Sequence, residues 1–319
     1  MKSVLVTGGA GFIGSNIVKG LIEIGLTVRV LDNLSTGYEQ NIPSSDNVTF
    51  IHGDIRDETA LTKALQGVDT IFHLAASVGN RRSLENPLMD AEINVIGTLR
   101  LLERARLAKV KKIVFTSSAA IFGELRILPI REDHPISPDS FYGASKFTAE
   151  RDCLIYGALH GISVTCLRPF NVYGPNQRYD AYGNVIPIFG SLILQGKKLV
   201  IYGDGEQTRD FINVHDVVQA NLLGARIDCT GAFNLASGTQ ITINKLAALI
   251  QEVAGKDVGV EYAAPRLGDV RHSKGDISAA QRILGFRPSV SIEKGLREYM
   301  DWLKNDQIAQ MQLSPTARD

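Results

Sequence analysis

The sequence lacks most of what would make it a secreted, membrane or metal protein. Its 319 residues hold only three cysteines, Cys153, Cys166 and Cys229. They are odd in number, sit in apolar contexts and show no C-x-x-C spacing. That excludes a disulfide scaffold or a zinc ribbon and reads as reduced core thiols of a cytoplasmic protein. Six histidines form no H-x-x-x-H or H-E-x-x-H pattern, so no metal site is expected. No apolar run approaches the ~18 residues of a membrane span, and Met1-Lys2-Ser3 runs into a strand rather than a signal peptide. Net charge is absent too, with 34 basic against 34 acidic residues. A chain without a long-range field is not expected to bind nucleic acid or a membrane surface.

What is present is ordinary in bulk, 44% apolar and 21% charged, but ordered in pattern. Val4-Leu5-Val6 is followed by Thr7-Gly8-Gly9-Ala10-Gly11-Phe12-Ile13-Gly14 and then by a helical face at Ile17, Val18, Leu21 and Ile22. Closely spaced glycines allow a tight strand-to-helix turn, against whose N–H groups a pyrophosphate can lie. The next apolar run ends in Asp32, about twenty residues on, where an acid accepts the hydroxyls of an adenosine ribose and repels a 2′-phosphate. NAD is therefore favoured over NADP.

Further strands are predicted at 49–55, 70–76, 112–118 and 163–167, with helices between them. This alternation predicts an α/β fold with a Rossmann-type doubly wound parallel sheet. Ligands of such sheets gather at the carboxyl ends of strands, where Asp32, Asp54, Ala75 and Ser118 fall. Tyr142 and Lys146 are four apart at the start of a predicted helix and share a face. A lysine beside a phenol favours the phenolate, and with a cofactor pyridinium it would make a base poised near neutral pH. Beyond 174 the alternation breaks down. The expected division is a dinucleotide-binding domain over 1–174, with 214–237 returning to it. A smaller α+β C-terminal substrate domain is expected over 175–213 and 238–303, and a frayed polar tail over 304–319.

Gly8 to Gly14, Asp32, Asp54-Ile55, His73-Leu74-Ala75-Ala76, Ser117-Ser118, Tyr142-x-x-x-Lys146 and Arg168-Pro169-Phe170-Asn171 occur in register. In these motifs the chain resembles the extended short-chain dehydrogenase/reductases from residue 3 to about 302, and among them the UDP-hexose 4-epimerases. The resemblance implies Tyr142 as catalytic base, Lys146 as its partner and a nicotinamide-ribose ligand, and Ser118 as proton shuttle on the sugar 4-hydroxyl. It implies cofactor contacts from Gly8, Gly11, Phe12, Ile13, Gly14, Asp32, Asn33, Asp54, Ile55, Leu74, Ala75, Ala76 and Asn94. For the UDP-sugar it implies Asn171, Asn184, Val185, a stacking Tyr202, pyrophosphate arginines Arg209 and Arg266, Asp269 and Ser273.

Related dehydratases and decarboxylases carry an acid after the catalytic hydroxyl, whereas this chain has Ala119-Ala120, which disfavours both reactions. Ser273 stands where glucose-restricted members often have tyrosine, so N-acetylated sugars are expected beside UDP-glucose and UDP-galactose. The arginines in Ser77-Val78-Gly79-Asn80-Arg81-Arg82 leave a UDP-glucuronate 4-epimerase or decarboxylase open, as is a net NAD-dependent nucleotide-sugar reductase or dehydrogenase. A homodimer is expected from helices over 87–108 and 143–159, with apolar faces at Leu99, Leu102 and Leu154.

Overall fold

The computed structural model describes residues 1–123, 127–179, 183–265 and 270–313. The first half alternates β1 (Ser3–Thr7), α1 (Phe12–Glu23), β2 (Thr27–Asp32), β3 (Val48–His52), α2 (Glu58–Ala64), β4 (Thr70–His73), α3 (Asn80–Glu85), α4 (Pro87–Ala91), α5 (Thr98–Leu107), β5 (Lys112–Thr116), α6 (Phe141–His160) and β6 (Ser163–Pro169). Between α4 and α5 the helix widens to π geometry over Glu92–Gly97. The second half has β7 (Asn171–Tyr173), α7 (Val185–Leu194), β8 (Leu199–Tyr202), β9 (Thr208–Arg209), β10 (Phe211–Asn213), α8 (Val214–Arg226), β11 (Gly231–Leu235), β12 (Ile241–Thr242), α9 (Ile243–Ala254), β13 (Val260–Ala263), α10 (Ser278–Leu284), α11 (Ile292–Asn305) and α12 (Gln307–Leu313).

Seven strands form one sheet in the order β11-β6-β5-β4-β1-β2-β3, and every pair in it is parallel. Parallel strands need both faces covered, which explains the unbroken apolar run of β1. Val4 and Val6 point to one face, packing with Ile17, Leu21 and Val217 of α1 and α8. Leu5 points to the other, with Leu61, Leu102 and Cys153 of α2, α5 and α6. The fold is thus the Rossmann-type sheet expected from the alternation. A second core holds Phe189, Leu199, Leu246, Ile250, Tyr299 and Leu303 of the C-terminal elements. Among the described residues no helix is long and apolar enough to cross a membrane.

Leu102 is fully buried within the chain, while Leu99 and Leu154 are half-buried against the same core, so Leu102 packs inward. One expectation is corrected. Residues 304–313 are not frayed: α11 reaches Asn305 and α12 runs to Leu313. They are tied down by Arg178, whose guanidinium donates to both Asp306 carboxylate oxygens at 2.9 and 2.6 Å and to Asn41 Oδ1 at 2.9 Å. The same guanidinium lies 4.6 Å from the Tyr38 ring and 5.4 Å from that of Trp302. Arg178 thereby joins the loop after β2 to the last helices.

Candidate active site

The turn after β1 is shaped by what its glycines exclude. Gly8 has φ +71°, and a Cβ there would stand 2.7 Å from Ala75 N. A Cβ on Gly14 would lie 2.1 Å from the Gly8 carbonyl oxygen, so α1 can approach β1 this closely only without one. Gly11 meets nothing but that same oxygen, at 3.2 Å, and its other side is bare. It begins α1 with no side-chain cap, leaving the first helical N–H groups for an anion. Phe12 and Ile13 follow, half-buried. These residues fit a dinucleotide pyrophosphate.

Asp32 is buried at the end of β2 and braces the turn, accepting from Ala10 N (2.9 Å) and Leu34 N (2.8 Å). Asp54 is more fully committed. It takes a bidentate grip from Arg56 (2.9 Å each) and a hydrogen bond from Asn33 Nδ2 (2.8 Å). The Arg56 hydrogen bonds are the main reason its carboxyl titrates down at about 2. Ile55 packs into the core. Leu74, Ala75 and Ala76 continue from β4, with Leu74 N and Ala75 N both 3.3 Å from Thr7 Oγ1.

Ser118 ends the loop after β5, where its Oγ accepts from Ala120 N at 3.1 Å. Its side chain faces the Tyr142 phenol and lowers that group's titration. Tyr142 and Lys146 lie on the first turns of α6, whose cap Ser140 accepts from Gly143 N. In the protein alone, burial dominates at Tyr142 and pushes the phenol up to about 12; the Ser118 side chain opposes the rise and Asp90 adds to it. Lys146 is not among the groups acting on the phenol. Its ammonium lies 4.3 Å from the centre of the Phe115 ring, and burial lowers it to about 8.

Asn94 sits in the π segment with 2% of its surface exposed. Its amide is spent on protein: Oδ1 accepts from Ser77 N (2.8 Å), and Nδ2 contacts Ser77 O, Ser145 Oγ and Asp90 Oδ2 at 3.0, 3.0 and 3.1 Å. The sequence reading missed Asp90, whose other oxygen takes the Ser145 hydroxyl at 2.5 Å. It also missed Ser83, whose Oγ accepts from Tyr142 N at 3.0 Å. The i, i+4 spacing of Asp90 and Asn94 was the available signal.

The second half supplies a neighbouring group of polar residues. Buried Asp210 accepts from Ser237 N and Oγ (2.7 Å each) and from Gly238 N and Gly275 N (3.2 Å each). It thereby fixes Arg209 on one side and the strand carrying Ser273 on the other. Arg209 is half-buried and donates to Thr208 O at 2.8 Å. Ser273 is buried, its N–H 3.2 Å from Thr208 O. Asn171 donates both its amide and its N–H to Asp210 O. Asn184 precedes α7, of which Val185 is the first residue, and donates to Val172 O at 3.2 Å. Tyr202 ends β8, half-buried. Arg266 and Asp269 lie outside the described residues.

Known proteins were compared with this arrangement. The chain matches the model of the NAD dependent epimerase/dehydratase family over residues 4–236. It is 38% identical over 308 residues to the UDP-glucose 4-epimerase of Mycolicibacterium smegmatis, covering 94% of this chain and 98% of that one. A UDP-N-acetylglucosamine 4-epimerase from Methanobrevibacter ruminantium, solved with UDP-N-acetylmuramic acid, superposes with a TM-score of 0.92 at 40% identity, over 97% and 99% of the two chains. The UDP-glucose 4-epimerase of Thermus thermophilus, solved with NAD, gives 0.87 at 37% identity, over 95% and 99%. With most of its length inside the family model and nearly all of it shared with proteins of one architecture, the chain belongs to the NAD dependent epimerase/dehydratase family, among the extended short-chain dehydrogenase/reductases.

Proposed function

We propose that the protein is a UDP-sugar 4-epimerase, interconverting UDP-gluco and UDP-galacto sugars, N-acetylated ones included, on a retained NAD. The observation that carries this reading is the placement of Ser118 against the Tyr142 phenol at the carboxyl end of the sheet, with buried Lys146 one turn further along the same helix, and with two alanines instead of an acid after the serine. A hydroxyl pair can take and return the proton of a sugar 4-hydroxyl. Alanine cannot add the carboxyl that dehydration needs.

Bound NAD would supply the hydride acceptor and donor at sugar C4 and a positive ring charge that favours the phenolate. Gly8, Gly11 and Gly14 would cradle its pyrophosphate, Asp32 and Asn33 its adenosine ribose, and Lys146 its nicotinamide ribose. Ser118 accepts from Ala120 N, which leaves its hydroxyl hydrogen free to donate, so a proton could pass between substrate and phenol through this hydroxyl. Arg209, with Arg266, would meet the UDP pyrophosphate as paired guanidiniums. Asn171, Asn184, Val185 and Tyr202 would hold the uridine and sugar. The 4-keto sugar is then free to present its other face before the proton and hydride return.

The glucuronate reading is less supported. Arg81 is largely exposed and pairs with Glu85 at 3.8 Å, while Arg82 donates to Val78 O at 2.9 Å. A homodimer fits the exposed Leu88, Ile155 and Leu159 on α4 and α6. The deciding assay incubates purified protein, without added cofactor, with UDP-galactose, UDP-N-acetylgalactosamine and UDP-glucuronate, and separates the products. C4 epimers without net NADH are expected. NADH accumulating in proportion to substrate would make it a dehydrogenase.

Ser273→Tyr is expected to cut turnover of UDP-N-acetylgalactosamine by about 10–100-fold while sparing UDP-galactose. The ratio of kcat/KM on the two substrates checks this; equal loss on both would remove Ser273 from specificity.

A further inference from the structure

We propose that Asp90 is a positioning residue for the Tyr142–Lys146 pair, a buried carboxylate that fixes the first turn of α6 through Ser145 and holds a negative charge behind both groups. This rests on the epimerase reading of Tyr142 and Lys146.

The geometry has three parts. Asp90 is 1% exposed, deep between α4 and α6. Two side chains donate to it, Ser145 Oγ to Oδ1 at 2.5 Å and Asn94 Nδ2 to Oδ2 at 3.1 Å. Ser145 in turn lies 3.1 Å from the Tyr142 carbonyl oxygen and precedes Lys146 in the chain. A shift of Asp90 therefore moves the backbone that aims both groups. Burial raises Asp90's own carboxyl, while the Ser145 and Asn94 hydrogen bonds and the Lys146 charge favour its ionised, acceptor-only state.

The other charged and titratable groups facing the pair are accounted for. Glu150 also faces Lys146, but it is held by Arg168 at 2.6 Å. Burial drives the Cys153 and Cys166 thiols well up, which keeps them neutral. Burial drives His73 down to about 3, with the same result. At Tyr142 the other partner is the uncharged Ser118. Asp90 is thus the negative charge near the pair that has no guanidinium of its own.

Its sign gives a distinctive test. A negative charge makes the phenolate harder to form and the ammonium easier to keep, so it raises both titrations. A working pair needs Tyr142 deprotonated and Lys146 protonated. Removing the charge should move both limbs of the activity–pH profile to lower pH.

Asp90→Asn keeps the shape, since Ser145 can turn its hydrogen to the Tyr142 carbonyl. Asp90→Ser is a second, smaller replacement. On the NAD-loaded protein, kcat is measured against pH with UDP-galactose. Phenolate absorbance is titrated in parallel, with Tyr142→Phe as blank. Both limbs, and the phenol, are expected to move acidward by roughly half to one pH unit. A lower kcat with unmoved limbs, or limbs that move apart or toward base, would overturn the proposal. If no form turns over any UDP-sugar, the epimerase reading fails, and the phenol titration still decides whether Asp90 acts on Tyr142.

Discussion

Tyr142→Phe is expected to lower kcat for UDP-galactose epimerisation by about 100- to 10,000-fold, the usual contribution of a positioned acid–base group, with little change in KM. The ring is half-buried beneath the loop carrying Ser118, so phenylalanine fits the same space and the fold is spared. What disappears is one oxygen, the one that faces Ser118. An interaction made only in the transition state lowers kcat and kcat/KM together. The glycine turn is untouched, so NAD should still co-purify with the variant. Steady-state rates and the NAD content of the purified protein check both halves. Turnover close to that of the parent would remove Tyr142 from the chemistry.

Glu150→Ala is expected to destabilise the fold by about 3–5 kcal/mol. Glu150 and Arg168 are 1% and 6% exposed and joined by two hydrogen bonds, at 2.6 and 2.9 Å. Among the described residues the alanine would leave a buried guanidinium with the Glu132 carbonyl at 3.1 Å and the Phe122 ring at 5.3 Å, and no carboxylate, to answer it. An exposed pair behaves differently. Arg271 and Asp204 are each more than half exposed, and Arg271→Ala should leave the unfolding midpoint close to that of the parent. Urea unfolding of the two variants gives the comparison. The double variant Glu150→Ala, Arg168→Met should regain much of the loss, because the penalty lies in the stranded charge more than in the missing bond. Since α6 carries Tyr142, the single variant should lose activity at temperatures below its melting point.

The glycine turn, the strands and the Tyr142–Lys146 helix were legible because each is a local pattern, written within a few residues. The pairing order β4-β1-β2 follows from the same alternation. What sequence could not show depends on contacts far apart in the chain. Asp90 meets Ser145 across 55 positions, and the i, i+4 spacing to Asn94, the one local signal, says nothing of that partner. Leu102 sits on a face that periodicity marks as apolar, but periodicity does not say whether that face looks inward. Lys146 stands one helical turn from Tyr142, as spacing predicts, yet its charge goes to the Phe115 ring. The tail reads as polar and loose because the partner that orders Asp306 lies 128 residues earlier.

That last tie orders events in time. Tyr38 N and Asn41 Nδ2 both donate to Ala10 O, at 3.1 and 2.8 Å, so they form a rim beside the glycine turn. Arg178 grips the rim, and Asp306 grips Arg178. On the ribosome the turn emerges well before the residues that secure its rim. The sheet is likewise unfinished until β11 joins β6. A nascent chain therefore carries the glycine turn long before Arg178 and Asp306 can secure its rim, and lasting capture of a dinucleotide waits until both have emerged.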